Sequence, residues 1–311
     1  MKTFIIKFLL FILVIVSITC LLTYAVDSGL RKTEYFHYKE WNLLYQSKIN
    51  ADILILGNSR AYHHVNPIIV DSILNLNSFN LGMDAAQFDL QYARFMTYIH
   101  TNKKPKIILQ NIDEWTLEKS SLYLREQYIP YYNDSILLSA IKSTAVLPKE
   151  YFIYPLKYMG CNRNCWKVGL LEFFGIKHYD NNKTKGFLRD WATFNSEPNI
   201  RLFKVADFHV NEHCKELFNK YLHFCQQNDI KVICFYAPLY KDGYFEDKHE
   251  KTISYYKQLL SAYNVNLIDC AKNKMSSNPH YFRNNSHLRG NGCDIFTTEL
   301  MEQVDPILSC E

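Results

Sequence analysis

Two stretches carry residue types able to do covalent chemistry. Asp52–His64 reads DILILGNSRAYHH and places Ser59 on a turn directly after four apolar residues, Ile53–Leu56. Tyr281–Leu300 reads YFRNNSHLRGNGCDIFTTEL and sets His287 in a loop just before an amphipathic run. A serine hydroxyl attacks a carbonyl only when a base takes its proton and donors stabilise the oxyanion, so the two stretches matter as a pair. Each also has a bland reading, since Gly-Asn-Ser turns end many strands and a lone loop histidine is usually solvated. His209 and His213 stand four apart, which is metal-ligand spacing. Val210 and Asn211 do not complete the His-Glu-x-x-His zinc signature, and surface histidines are the simpler reading. His63 and His64 follow Ser59 closely enough to line the same pocket, with no role assigned to them.

The elements that must position these residues can be read from periodicity. Ile53–Leu56 is too short for a helix and suits a strand buried on both faces. Asn66-Pro67 reads as an N-cap followed by proline at the first helical position, with Ile68, Ile69, Ile73 and Leu74 as the apolar face. Further strands are expected at Ser78–Gly82, Lys106–Ile112, Lys231–Ala237 and Val265–Cys270, with helices over Gln87–Thr101, Val210–Cys225, Ser254–Tyr263 and Asp294–Val304. Strands alternating with helices imply a parallel sheet of about five strands in a three-layer α/β/α sandwich. Ligands collect outside the carboxyl ends of such strands, where the Ser59 turn would lie. Residues 114–206, rich in Tyr, Asn, Lys and Trp, break this alternation and are expected to form an inserted cap or subdomain within an α/β domain spanning 35–311.

Composition limits the setting. The 311 residues carry a formal net charge of only +4 with scattered lysines and arginines, which argues against nucleic acid as a partner. Phe8–Val26 is an uncharged run of 19 residues preceded by Lys2 and Lys7, so residues 1–34 are expected to form a membrane anchor and its flank. A signal anchor fits its length better than a cleaved signal, although Thr23-Tyr24-Ala25 would be a poor cleavage site. The two lysines favour an inside N-terminus, with the remaining domain outside the cytoplasm. In such a compartment Cys161 and Cys165, in GCNRNCW, could pair as a disulfide. Five other cysteines sit in apolar patterns as small buried hydrophobes.

Taken together, GNSR after the first strand, NLG at the end of the second and the C-terminal HLRGNGCDIFT resemble the SGNH or GDSL-like serine hydrolases. The resemblance covers Asp52–Asn111 and Lys231–Val304. It implies a flavodoxin-like fold, serine chemistry without a metal or organic cofactor, Ser59 as nucleophile and His287 as general base. It also implies oxyanion donors from the N–H groups of Ser59 and Gly82 and from Asn111, with Asp113 the competing position for the last. Where the family has an aspartate three residues before the histidine, this chain has Asn284. An asparagine can accept the imidazole N–H and orient the ring, but it cannot stabilise imidazolium by charge. The chain is therefore expected to be a slow enzyme, a pseudoenzyme, or one that recruits another carboxylate such as Asp294 or Asp113. The expected activity is hydrolysis or transfer of acyl esters on envelope glycans or lipids through an acyl-Ser59 intermediate. The alternative is a catalytically impaired protein of the same fold that binds glycan or supports envelope assembly.

Overall fold

The structure, a computed structural model, describes all residues except 146, 177–182, 197–207 and 310–311. In chain order the elements begin with helices α1 (Lys2–Leu30) and α2 (Phe36–Tyr45), strand β1 (Ile53–Leu56), α3 (Ser59–His64), α4 (Pro67–Leu74) and β2 (Ser78–Asn80). There follow α5 (Phe88–Thr101), β3 (Ile107–Asn111), α6 (Ser135–Thr144), α7 (Arg163–Phe173) and a short hairpin of β4 (Lys183–Thr184) and β5 (Phe187–Leu188). The chain closes with α8 (Glu212–Gln227), β6 (Lys231–Tyr236), α9 (Glu246–Ser261), β7 (Asn266–Asp269) and α10 (Gly290–Ser309). These fall into two compact units, Met1–Gln46 with Leu124–Asn181, and Ser47–Tyr123 with Asn182–Glu311.

The larger unit is the α/β body. Its five parallel strands are ordered β2-β1-β3-β6-β7. All four β1 residues are buried because helices cover both faces of the sheet, which is why β1 is apolar throughout instead of alternating. Ile53, Ile55, Leu109 and Phe235 on one face pack with Ala61 of α3, Val70 of α4 and Phe296 and Leu300 of α10. On the other face α5 meets α8 through the Phe95 and Tyr221 rings, whose centroids are 5.0 Å apart, and α8 meets α9 through Phe218 and Tyr256. The fold expected from periodicity is thus present, with β1 at its expected bounds and the other four strands one or two residues shorter at their ends. Asn66 caps α4 as expected, accepting from the Ile68 N–H at 3.1 Å. Two helices begin earlier than their apolar patterns suggest. α9 starts at Glu246 because its first turns are charged, with Glu246 and Asp247 favourably placed at the positive helix end. α10 starts at Gly290, whose N–H donates to the Asp190 carbonyl.

The smaller unit joins α1, α2, α6 and α7. The stretch expected to be one insert is divided in the structure: Trp115–Tyr123 and the β4–β5 hairpin lie in the α/β body, the described residues from Leu124 to Ile176 in the smaller unit, and 146, 177–182 and 197–206 outside the described residues. The smaller unit is built on aromatic packing. Tyr45 stacks on Tyr131 with centroids 4.6 Å apart, and the buried Trp41 Nε1–H donates to Gln127 Oε1 at 3.1 Å. Cys161 and Cys165 are free thiols, so the expected disulfide is absent; the physical change from the expectation is that Cys165 is buried in the first turn of α7 and not on an exposed loop.

Candidate active site

β1 delivers the chain to Gly57, whose φ of +145° is a backbone state that residues with a side chain rarely adopt. A Cβ there would also stand 2.6 Å from the Asn111 Cβ and 2.8 Å from the Ala61 Cβ. Glycine is required for strand, turn and helix to meet so closely. Asn58 then caps α3, its Oδ1 accepting from the Arg60 N–H at 2.9 Å, and Ser59 is the first helical residue. The N–H of a first helical residue, here Ser59, has no acceptor within its own helix.

The turn is held from beneath by buried charge. Asn58 Nδ2 donates to Asp113 Oδ2 at 2.5 Å, and Asp113 Oδ1 accepts from the Trp115 N–H and Thr116 Oγ1. Arg60 forks onto Glu114 at 3.2 and 3.4 Å and lies over the Tyr236 ring, while the Tyr236 hydroxyl donates to Glu114 Oε2 at 2.5 Å. Burial alone would pull the Arg60 pKa down, but Glu114, Tyr236 and Asp113 outweigh it and hold the guanidinium charged. Burial would likewise raise the Glu114 pKa, and Arg60 beside it brings it below the usual range. Removing one partner from such a network strands a buried charge. Sequence reading assigned no role to Arg60 or Glu114. The available signal was three ionisable residues placed at the ends of two buried strands, where a charge must find a partner.

His287 Nε2 lies 2.8 Å from Ser59 Oγ, joining the two stretches singled out in the sequence. Its Nδ1 lies 3.0 Å from Asn284 Oδ1 and 3.2 Å from Ser286 Oγ. The Ser286 and His287 backbone N–H groups donate to the same Asn284 atom at 3.0 and 2.8 Å. Backbone N–H groups only donate, so that atom must be the amide oxygen, and it receives the proton of Nδ1–H. The Nε2 lone pair therefore faces the serine hydroxyl, the tautomer a general base needs. The His287 pKa lies well below 6.5, chiefly through burial and then through His63 and Arg283, with Asp84 opposing them. His287 rests neutral.

Gly82 and Asn111 are placed differently from expectation. The Gly82 N–H donates to Asn80 Oδ1 at 2.9 Å. Asn111 is fully buried behind Gly57, with Nδ2 directed to the Ile112 and Phe235 carbonyls at 3.4 and 3.3 Å. Its side chain packs behind Gly57 with its amide nitrogen turned to those carbonyls, while the side chain hydrogen-bonded to the turn itself, through Asn58, is that of Asp113. Neither alternative carboxylate is free for the imidazole: Asp294 is held by Arg189 at 2.6 and 2.7 Å and by Asn66, and Asp113 by Asn58.

A histidine–carboxylate pair adjoins the His287–Asn284 pair. His63 is one helical turn beyond Ser59 on α3, so the two share a face. Its Nε2 lies 2.9 Å from Asp84 Oδ1, its Nδ1 3.3 Å from the Leu188 carbonyl, and its ring centroid 5.7 Å from that of His287. Both nitrogens thus face oxygens. His64, fully buried, accepts the Leu288 N–H at Nε2, and burial followed by His287 and Arg60 holds its pKa well below 6.5. Asp84 follows Gly82 by two residues and is the nearest acidic side chain to that strand end in sequence, which was the available signal.

No family model matches the sequence, and no curated protein matches it. Among solved structures the chain is similar to a crystal structure described as a "putative acylhydrolase" from Bacteroides fragilis NCTC 9343. The match has 11% identity and a TM-score of 0.41, and covers 89% of this chain and 98% of the other.

Proposed function

We propose that this chain is a serine-dependent acyl-ester hydrolase or O-acyltransferase, acting on acyl esters of envelope glycans or lipids outside the cytoplasm. The observation that carries the reading is the contact between Ser59 Oγ and His287 Nε2 at 2.8 Å, with the imidazole tautomer set by Asn284. Ser59 Oγ attacks the ester carbonyl carbon as its proton passes to His287 Nε2. The oxyanion of the tetrahedral adduct accepts the Ser59 N–H. Collapse breaks the bond to the leaving oxygen, which takes the proton from His287, and an acyl-Ser59 ester remains. An acceptor hydroxyl, from water or a sugar, then gives its proton to His287 and attacks that ester, regenerating Ser59. The α1 helix, apolar and long enough to cross a membrane, supports placement at the envelope. The test is labelling of the purified full chain with a fluorophosphonate and turnover of aryl acetates. Labelling that is lost in Ser59→Ala supports the reading. Equal turnover by both proteins excludes Ser59 as nucleophile, and no labelling at high probe concentration favours a non-catalytic glycan-binding or assembly protein.

A further inference from the structure

The uncharged run Phe8–Val26 spans about 28 Å as a helix, against a hydrocarbon core of about 30 Å. The 18-residue stretch of α1 that best fits a span contains no buried residue and so ends before the buried Thr23, which leaves the last turn of the run, Thr23–Val26, at the edge of that span. That last turn is not bare. Thr23, Ala25 and Val26 are buried within the smaller unit, whereas the helix before them is almost wholly exposed. The elements that sheathe Thr23–Val26 must therefore lie at the depth of the membrane boundary.

Their geometry can be followed residue by residue. α7 packs on α1 so closely that a Cβ on Gly29 would fall 1.8 Å from the Gly169 carbonyl oxygen. Phe173, four residues further along α7, meets Tyr24, five residues earlier on α1, with ring centroids 6.2 Å apart. The helices are thus antiparallel, and α7 descends toward the bare part of α1, where Phe174-Gly175-Ile176 follows its last residue. On another side Thr23 Oγ1 donates to the Pro155 carbonyl at 3.3 Å, which places Ile153 and Tyr154 at the same level. The outward residues at this level are large and apolar: Phe174 is 71% exposed, Ile176 53%, Ile153 49% and Tyr154 47%. One turn above, Asp27 is bound by Lys157, Tyr158 and Arg31, a polar cluster that marks where water begins.

We propose that this ring of side chains around the exit of α1 is a lipid-docking surface, seated in the headgroup and upper acyl region of the bilayer. The arrangement matches the behaviour of aromatic residues at membrane boundaries and of apolar faces that enter an interface by about 5–10 Å. The bilayer is the occupant because the surface is continuous with the helix that crosses it. The smaller unit is then held at the membrane by its own surface as well as by its anchor.

The test uses the full chain in phosphatidylcholine–phosphatidylglycerol nanodiscs, with Phe174→Trp and Ile153→Trp made singly and the signal of the four native tryptophans subtracted. Both added indoles should lose fluorescence about two-fold or more with acyl-brominated lipids and resist aqueous iodide, as expected for side chains buried in the interface. Quenching of both by iodide as strongly as free indole would overturn the proposal. Resistance to both quenchers would also overturn it, since a protein and not lipid would then cover the surface. Neither readout depends on Ser59.

Discussion

Asn284 Oδ1 lies 3.0 Å from His287 Nδ1 while also receiving the backbone N–H groups of Ser286 and His287. With the Ser286 hydroxyl at 3.4 Å, four donors converge on one uncharged oxygen. The amide therefore orients the imidazole fully, and what it lacks relative to a carboxylate is charge alone.

The first prediction follows from that distinction. Asn284→Asp keeps every acceptor contact and adds a negative charge beside a buried ring that must become cationic during acyl transfer. Loss of aspartate from a serine triad costs about ten-thousand-fold when the tautomer is also wrong. Here the tautomer is already correct, so Asn284→Asp should raise the rate of fluorophosphonate labelling of Ser59 by a smaller factor, on the order of 10- to 100-fold. An unchanged rate would mean that charge at this position does not limit the reaction.

The pH dependence can be given a sign. Burial, followed by His63 and Arg283, holds the His287 pKa well below 6.5, so the base stays competent in mildly acidic solution. His63→Gln removes one of the groups that depress it, and the acid limb of the labelling rate should move up toward 6.5. Asn284→Asp should move it the same way. A limb that shifts down, or not at all, in His63→Gln would count against electrostatic coupling between the two rings.

Stability should respond to acid as well. His64 and His287 are neutral and buried in the folded chain, whereas in the unfolded chain they take up protons once the pH falls below about 6.5. The unfolded state then binds more protons, so folding stability is intact above 6.5 and declines below it, by up to about 1.4 kcal/mol per pH unit for each histidine. His64→Gln retains an acceptor for the Leu288 N–H and removes one titrating group. Denaturant unfolding between pH 7.5 and 5.5 should show a shallower decline in that variant than in wild type.

Asp113 supports the turn from below without touching the reacting atoms. Asp113→Ala deprives Asn58 Nδ2 of its acceptor and unbalances Arg60 and Glu114, at a cost of about 3 kcal/mol or more to folding. Ser59 labelling should slow because the cap that places it is lost. The conservative Asp113→Asn, which keeps an acceptor for Asn58, should recover most of the labelling rate and less of the stability. Destabilisation below about 1 kcal/mol in Asp113→Ala would show that the network is not structurally coupled.

Much of this protein was determined by local sequence. Ile53–Leu56 had to be an interior strand because four apolar residues bounded by Asp52 and Gly57 have no polar face to show water. Asn66-Pro67 had to begin a helix because the pair offers a cap and a preset φ. Ser59 and His287 stood out because each followed or preceded a regular element with turn chemistry between. Tertiary structure decided what depends on partners distant in the chain. Ser59 and His287 are 228 residues apart, and only the parallel sheet brings them to one edge. Gly82 and Asn111 looked equivalent to free donors in sequence, but Asn80 and the Phe235 carbonyl claim them. The aromatic residues of the smaller unit follow no single period because some pack on α2, far earlier in the chain, as Tyr131 does on Tyr45, and others on one another, as Tyr132 does on Phe152. The Asn284 substitution was visible at once. Its consequence was not, because whether an amide can serve depends on which of its two ends faces the ring, and neighbouring N–H groups in the folded loop decide that.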